Sequence, residues 1–335
     1  MNGNTVRMGF ILALFFNLLM CLPLQARMLT DDYGRAVELP ERVTKIYAAS
    51  PPLTMSVLAF DPGLVAALNF PFSPAQRPYA GAAADAPVAG GFFGQGQTPN
   101  FERLAQAEPD VILVWGRMPG VEKILAKFDA LGIPVLLVRN DSIRDLVGQF
   151  RLFGVLSGNT ERADALIAYT EQTLSLIDAL QPELAKRPPV RYYFAEGTDG
   201  LYSECTGSFH LEPFRYAGAA NALECAMSSN YGMEKMTLET VLLADPDVIV
   251  AMEPAFAEQV LQNPRWQALS AVKNRRVLTV PATPFNYLTR PPSFMRLLGV
   301  RWLIQHFYPG VIQGNEKARF EALFFPAYKG ADHAH

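Results

Sequence analysis

Along residues 160–180 the apolar side chains Ala163, Leu166, Ile167, Leu174, Ile177 and Leu180 recur at spacings of three, four or seven. Such spacings place them on one side of a helix. Asn159 and Thr160 are suited to cap its start by accepting backbone N–H groups, and Pro182, which has no N–H to donate, is expected to stop it. At 1.5 Å per residue the helix spans roughly 32 Å, enough to cross a small domain. Strand and helix patterns alternate on both sides of it, so it reads as a strut between two lobes. The divisions are 27–158 for the first lobe, 159–181 for the inter-lobe helix, 182–330 for the second lobe and 331–335 for a tail.

In the first lobe, 29–39 predicts a hairpin turning at Tyr33-Gly34, and 43–49 a β-branched strand ending in Ser50-Pro51-Pro52. Residues 54–60 follow as helix and 65–68 as a short strand. The Gly-, Ala- and Pro-rich stretch 71–100 has neither period and predicts loop. Helix at 101–107, fully apolar strand at 111–115, amphipathic helix at 122–131 closed by Gly132, strand at 133–138 and helix at 142–156 complete the lobe. After Pro188-Pro189 the pattern returns: strand at 190–195, a short helix at 212–216, helix at 237–243, strands at 248–252 and 277–280, and a closing helix at 293–307. Together these give an α/β fold of two doubly wound parallel-sheet lobes joined by one long inter-lobe helix.

Composition adds a compartment. Of 335 residues 50% are hydrophobic and 18% charged, ample for two cores. Arg7, the apolar run 8–22 and Leu24-Gln25-Ala26 form the three parts of a signal peptide, residues 1–26. A membrane anchor is the competing reading of that run, and Cys21 after Leu18-Leu19-Met20 loosely matches a lipidation site. Cleavage removes Arg7 and takes the net charge from −3 to about −4, a balance that argues against nucleic-acid binding. It also leaves Cys205 and Cys225 in an oxidising compartment, where a disulfide closing a loop of about 20 residues would contribute on the order of 3 kcal/mol. Two buried thiols are the alternative.

Two segments match one another. Residues 100–114 carry Glu102 and Pro109-Asp110-Val111-Ile112; residues 237–251 carry Glu239 and Pro246-Asp247-Val248-Ile249 at identical offsets. Acid in a first helical turn and Pro-Asp at a turn are ordinary chemistry singly. Two matched copies flanking a strut imply one helix-turn-strand unit used once in each lobe.

These segments belong to a longer series: Asp32-Tyr-Gly-Arg-Ala-Val-Glu-Leu-Pro with Arg42-Val43, Gly132-Ile-Pro-Val, Gly158-Asn-Thr-Glu-Arg-Ala163, Trp266-Gln-Ala-Leu with Arg276-Val277, and Pro292-Ser293, Leu298-Gly299, Trp302-Leu303 and Tyr308-Pro309. In order and spacing the series resembles the periplasmic substrate-binding proteins of the helical-backbone class, receptors of ABC importers for iron-siderophore, haem or cobalamin. The resemblance implies a monomeric periplasmic receptor, not an enzyme, that passes a metal-chelate ligand to an ABC permease dimer. Glu102 and Glu239 stand where the family presents docking carboxylates. Ferric siderophore is the default ligand, with cobalamin, haem, a nickel chelate and molybdate or tungstate as alternatives. No resident cofactor is implied; the ligand itself would carry iron or another metal. An exported enzyme is the reading of a different class, and no Gly-x-Ser-x-Gly, His-Glu-x-x-His or Gly-x-x-x-x-Gly-Lys signal supports it.

Ligands of open parallel sheets bind outside the carboxyl ends of the strands, and clefts between domains are preferred. The residues following the strands are Ser50, Pro51, Phe92, Phe93, Trp115, Arg117 and Arg139 in the first lobe. In the second they are Glu196, Tyr202, His210, Tyr231, Met233, Phe285, Asn286, Tyr287 and Arg290. Arg117 and Arg290 suit oxyanions and Trp115 offers a flat contact surface; the plain alternative is a surface arginine beside a packed tryptophan. His210 is either a ligand to iron or nickel or a cap for the helix near Glu212. Met227, Met233 and Met236 are soft donors that more often fill gaps. His333 and His335 read as a solvated tail.

Overall fold

The computed structural model describes residues 26–92, 97–228, 232–326 and 328. The signal peptide up to residue 25, with Cys21, and the tail with His333 and His335 lie outside those residues, as do Phe93 and Tyr231. Strands β1 (Ala26–Thr30) and β2 (Ala36–Pro40) form the antiparallel hairpin. Asp31 ties its turn, accepting from the N–H groups of Tyr33 and Arg35 at 3.0 and 2.9 Å, and also takes the N–H of Leu137 at 3.1 Å. One buried carboxylate thus shapes the turn and docks the hairpin on the first lobe.

That lobe runs β3 (Ile46–Ala48), α1 (Pro51–Phe60), β4 (Val65–Ala67), α2 (Phe101–Ala107), β5 (Val111–Trp115), α3 (Val121–Asp129), β6 (Val135–Val138) and α4 (Leu146–Ser157). Its sheet is parallel throughout, in the order β4-β3-β5-β6. Helix α1 starts three residues earlier than the apolar pattern predicts. Pro51 and Pro52 occupy its first turn, where a missing N–H costs no ladder bond.

Helix α5 (Thr160–Leu184) is the strut. Asn159 caps it, accepting from the N–H of Arg162 at 3.1 Å. Pro182 does not stop it: the helix continues to Leu184 with the proline in its last turn. So near the end the proline forfeits a single ladder bond, and Gln181 fastens the turn by donating to the carbonyls of Ile177 and Tyr216 at 3.0 and 2.9 Å.

The second lobe runs β7 (Arg191–Ala195), β8 (Tyr202–Ser203), α6 (Glu212–Tyr216), β9 (Ala220–Asn221), β10 (Glu234–Lys235), α7 (Leu238–Ala244), β11 (Val248–Ala251), α8 (Pro254–Val260), α9 (Ser270–Lys273), β12 (Val277–Thr279), α10 (Arg296–Phe307) and α11 (Lys317–Phe324). Its parallel sheet has the order β9-β7-β11-β12, the first lobe's order repeated. The matched segments fold alike in detail. Asn100 and Thr237 cap α2 and α7, and Glu108 and Asp245 end them in left-handed conformation at φ 47° and 37°. Asp110 and Asp247 each accept the N–H at the head of the neighbouring strand, from Lys45 and Arg191 at 2.8 Å.

One buried cluster runs from the inner face of the first sheet through Leu166, Tyr169, Leu174 and Ile177 of α5 to the inner face of the second. Helix α11, which the apolar pattern leaves unassigned, returns to that seam. Phe324 packs on Phe150 of α4 and on Tyr169, with ring centroids 6.3 and 5.6 Å apart. Arg162 clamps the junction, donating to the carbonyls of Phe60, Ala59 and Leu323 at 2.9, 2.8 and 2.7 Å, a cation set on the ends of two helices.

A second weld is polar. Glu212 of α6 reaches into the first lobe, taking the hydroxyl of Ser142 at 2.6 Å and the N–H of Ile143 at 3.0 Å. Its other oxygen pairs with Arg296 of α10 at 2.8 Å, and both side chains are buried. Removing one partner of a buried pair typically costs several kcal/mol because the other charge is left unpaired. Glu212→Ala should therefore lower the unfolding free energy by about 3 kcal/mol, read by urea denaturation, and Glu212→Leu with Arg296→Met should recover part of that loss. A Glu212→Ala protein as stable as wild type would contradict this role.

Candidate functional site

The carboxyl ends of both sheets meet across the weld. Trp115, the last residue of β5, faces Phe209 of the second lobe with ring centroids 5.9 Å apart, and the Arg296 guanidinium lies 6.0 Å from the Phe209 ring. A small cavity beside Phe209 is lined by Ser56, Asn140, Ser142, Ser293 and Arg296. Phe209 is a cleft residue that the strand-end rule does not reveal, because it follows no sheet strand but opens a short 3-10 turn, Phe209–Leu211, inside the loop closed by the disulfide. Cys205, four residues before it, is bonded to Cys225 beyond it, with Cα atoms 5.2 Å apart.

On the first-lobe rim, Trp115 donates its indole N–H to Asp141 at 2.9 Å, and Arg117, exposed, lies 3.7 Å from the same carboxylate. Arg139 is exposed nearby, its backbone N–H held by Asp32 at 2.8 Å. Tyr33 from the hairpin turn completes the group. Its hydroxyl pKa is raised, by partial burial first and by Asp141 next, against Arg117 and Arg139. The trace of Tyr33 in the sequence is Gly116: a Cβ there would come within 2.2 Å of the tyrosine ring, so only glycine lets the ring lie against the strand end. This rim thus joins two flat aromatic side chains to two arginines and two aspartates, with little net charge.

Phe92 and Phe285 are taken up by packing. Phe92 stands edge-on to Phe128, 5.7 Å between centroids, and Phe285 is buried against Phe72 and Phe325 at 5.8 and 5.9 Å. Asn69, absent from the strand-end candidates, shapes the Gly90-Gly91 loop before Phe92: it donates to the carbonyls of Ala48 and Gly90, both at 3.0 Å, and accepts from Thr54 at 2.6 Å. His210 is buried, its Nδ1 bonded to the hydroxyl of Thr289 and its ring against Phe209. Among the described residues no group of three His, Cys, Asp or Glu side chains is placed to hold a metal ion.

Arg290 is expected from sequence to meet an oxyanion of the ligand. It meets two of the protein's own. Its guanidinium pairs with Glu196 at 2.6 and 3.0 Å and with Glu204 at 2.6 Å, and both carboxylates are buried. Asn286 shapes the approach by accepting the N–H groups of Leu288 and Thr289 at 2.9 and 3.0 Å. Tyr202 is half-buried on β8, paired with Lys235. With two carboxylates on one guanidinium, the charge of Arg290 is matched within the protein. Glu204 is the acid raised by this crowding: burial, then the Glu196 carboxylate, push its pKa up to about 7.

The family is now evident. Residues 75–284 match the periplasmic binding protein family. The chain belongs to it, in the helical-backbone class of ABC substrate-binding proteins. A solved ABC transporter solute binding protein from Sulfurospirillum deleyianum is 30% identical, covers 90% of this chain and 95% of its own, and superposes with a TM-score of 0.80. The vitamin B12-binding protein of Vibrio cholerae is 27% identical over 198 residues, 58% of this chain and 67% of that protein. The iron-uptake system-binding protein of Bacillus subtilis is 27% identical over 201 residues, 57% and 61%. The chain thus matches about two thirds of the length of these two curated relatives. Members of the family are substrate-binding transport proteins of ABC importers, not enzymes, and deliver small-molecule ligands to permeases. No helix among the described residues is long and apolar enough to cross a membrane.

The Glu204 proton has a stability signature. An acid whose folded pKa lies above its unfolded value binds more protons folded than unfolded between the two, so stability is greatest below the unfolded pKa and falls as pH rises to the folded one. From the ordinary glutamate value of 4.5 to about 7 the protein should lose on the order of 2 kcal/mol, and Glu204→Gln, which stays neutral, should remove that loss. Denaturation between pH 5 and 8 reads both. A wild-type curve no steeper than that of Glu204→Gln would contradict the assignment.

Proposed function

We propose that this periplasmic binding protein captures a metal chelate, a ferric siderophore in the first instance, between its lobes and presents it to the permease through Glu102 and Glu239. The observation that carries the ligand class is the Trp115 and Tyr33 rim with Arg117 and Arg139, faced by Phe209. Flat aromatic surface favours a broad organic ligand, and the exposed arginines favour oxygen-rich groups on it. A bare oxyanion is less well served, since Arg290 is matched by Glu196 and Glu204 and Arg117 lies beside Asp141. Cobalamin is the second reading, supported by the vitamin B12-binding relative; it too is a metal held in a broad organic ring.

The lobes are joined by α5, the α11 seam and the Glu212 weld, so capture proceeds in a cleft of nearly constant width. Glu102 and Glu239 are exposed on matched helices of the two lobes, one to each. Two carboxylates at a fixed separation suit a two-fold partner, and rim charges of this kind steer association.

Native mass spectrometry with metal analysis, on protein purified from its own periplasm, should find a bound species containing iron. Ferric hydroxamate and catecholate chelates should quench Trp115 fluorescence, with no such response in Trp115→Phe. Cobalt would establish the cobalamin reading; binding of molybdate alone would contradict a chelate. Glu102→Ala combined with Glu239→Ala should abolish uptake while ligand affinity is unchanged, and normal uptake by that double variant would refute the docking role.

A further inference from the structure

The two matched helices do not present the same chemistry. Helix α2 buries Leu104 and Ala107 and exposes Glu102, Arg103 and Gln106; α7 buries Leu238 and Val241 and exposes Glu239, Thr240 and Leu243. At the offset where the first lobe has Gln106, the second has Leu243, one helical turn from the acid and on the same face. Leu243 is 88% exposed, the most exposed large hydrophobic side chain among the described residues; Met28 follows at 65%. Single exposed leucines are common on protein surfaces. Here the internal repeat supplies the control: the same unit, with caps at the same positions and the same acid, carries an amide at the corresponding position.

We propose that Leu243 is an apolar anchor that makes α7 the stronger of the receptor's two contacts with the permease. This rests on the docking role of Glu239 proposed above. The occupant it calls for is a cationic side chain on the permease beside an apolar depression: the acid supplies the charge complement, and the leucine fills the depression. Burying the leucine excludes water from the adjoining ion pair, and a charge pair shielded from water is stronger than one open to it. On α2 the neighbours of Glu102 are Arg103, which donates to the carbonyl of Val88 at 3.2 Å, and Gln106, so that ion pair stays wet. A two-fold permease offers both lobes the same patch, and the two contacts are therefore unequal.

The test is the affinity of receptor variants for the cognate permease complex in lipid nanodiscs, measured by biolayer interferometry. Leu243→Gln should weaken binding about five- to tenfold, Gln106→Ala should change it less than twofold, and Gln106→Leu should tighten it. Glu239→Ala with Leu243→Gln should lose less than the product of the single losses, because the two act together; Glu102→Ala with Gln106→Ala should multiply. Unchanged melting and ligand binding of Leu243→Gln would show that folding is not the cause. If Glu239→Ala weakens docking and Leu243→Gln does not, the anchor is overturned and the docking role stands. If neither Glu102→Ala nor Glu239→Ala weakens it, the docking role fails and takes the anchor with it.

Discussion

The arrangement of the two lobes depends on a carboxylate that crosses between them. Glu212 belongs to the second lobe by chain and to the first by hydrogen bonding, where it takes the Ser142 hydroxyl and the Ile143 N–H at the head of a helical turn. Arg296 holds its other oxygen. A charge buried this deeply is tolerated only when its acceptor sites are filled, and they are filled only when the lobes stand in one orientation. The apolar seam of α5 and α11 supplies cohesion without such directionality. The polar weld supplies the angle, and with it the spacing of Trp115 from Phe209.

The cleft that results has two differently charged walls. On the first lobe, arginines and aspartates alternate around Tyr33 and Trp115. On the second, Arg290 is bound by Glu196 and Glu204, and the crowding of the two acids with burial raises the pKa of Glu204. Neither wall collects strong positive charge, which agrees with a ligand recognised over a broad surface more than by a single anionic group. The same rigidity serves the outer face, where α2 and α7 hold Glu102 and Glu239 at a fixed distance.

Much of this fold is legible in the sequence because its signals are local. The fully apolar runs of β5, β6 and β11, the Asn159 cap of α5 and the repeat around Pro109 and Pro246 each declare themselves within a few residues. The repeat also carries the topology, since equal units give equal strand orders. Signals that depend on distant partners are silent. Tyr33 reaches the rim from a hairpin turn, Phe209 from a short 3-10 turn, and Asn69 acts on backbone carbonyls that any sequence would supply. Helix α11 escapes notice because it is only two turns long and its Phe320 and Phe324 acquire their meaning from Tyr169 and Phe150. Arg290 and His210 are instructive in the other direction: residue type and strand-end position select both, and each has partners within the protein that residue type does not reveal, Glu196 and Glu204 on the Arg290 guanidinium and the Thr289 hydroxyl on Nδ1 of His210.

Electron–electron double resonance between nitroxides at Gln106→Cys and Leu243→Cys, on the outer faces of the two lobes, measures the rigidity directly. In protein produced from residue 27 onward, which lacks Cys21, the native cysteines Cys205 and Cys225 are bonded to one another and leave the labels specific. A welded pair of lobes gives one narrow distance distribution in the ligand-free receptor, which Glu212→Ala broadens. A broad or two-peaked distribution in the wild-type protein would contradict a cleft of fixed width.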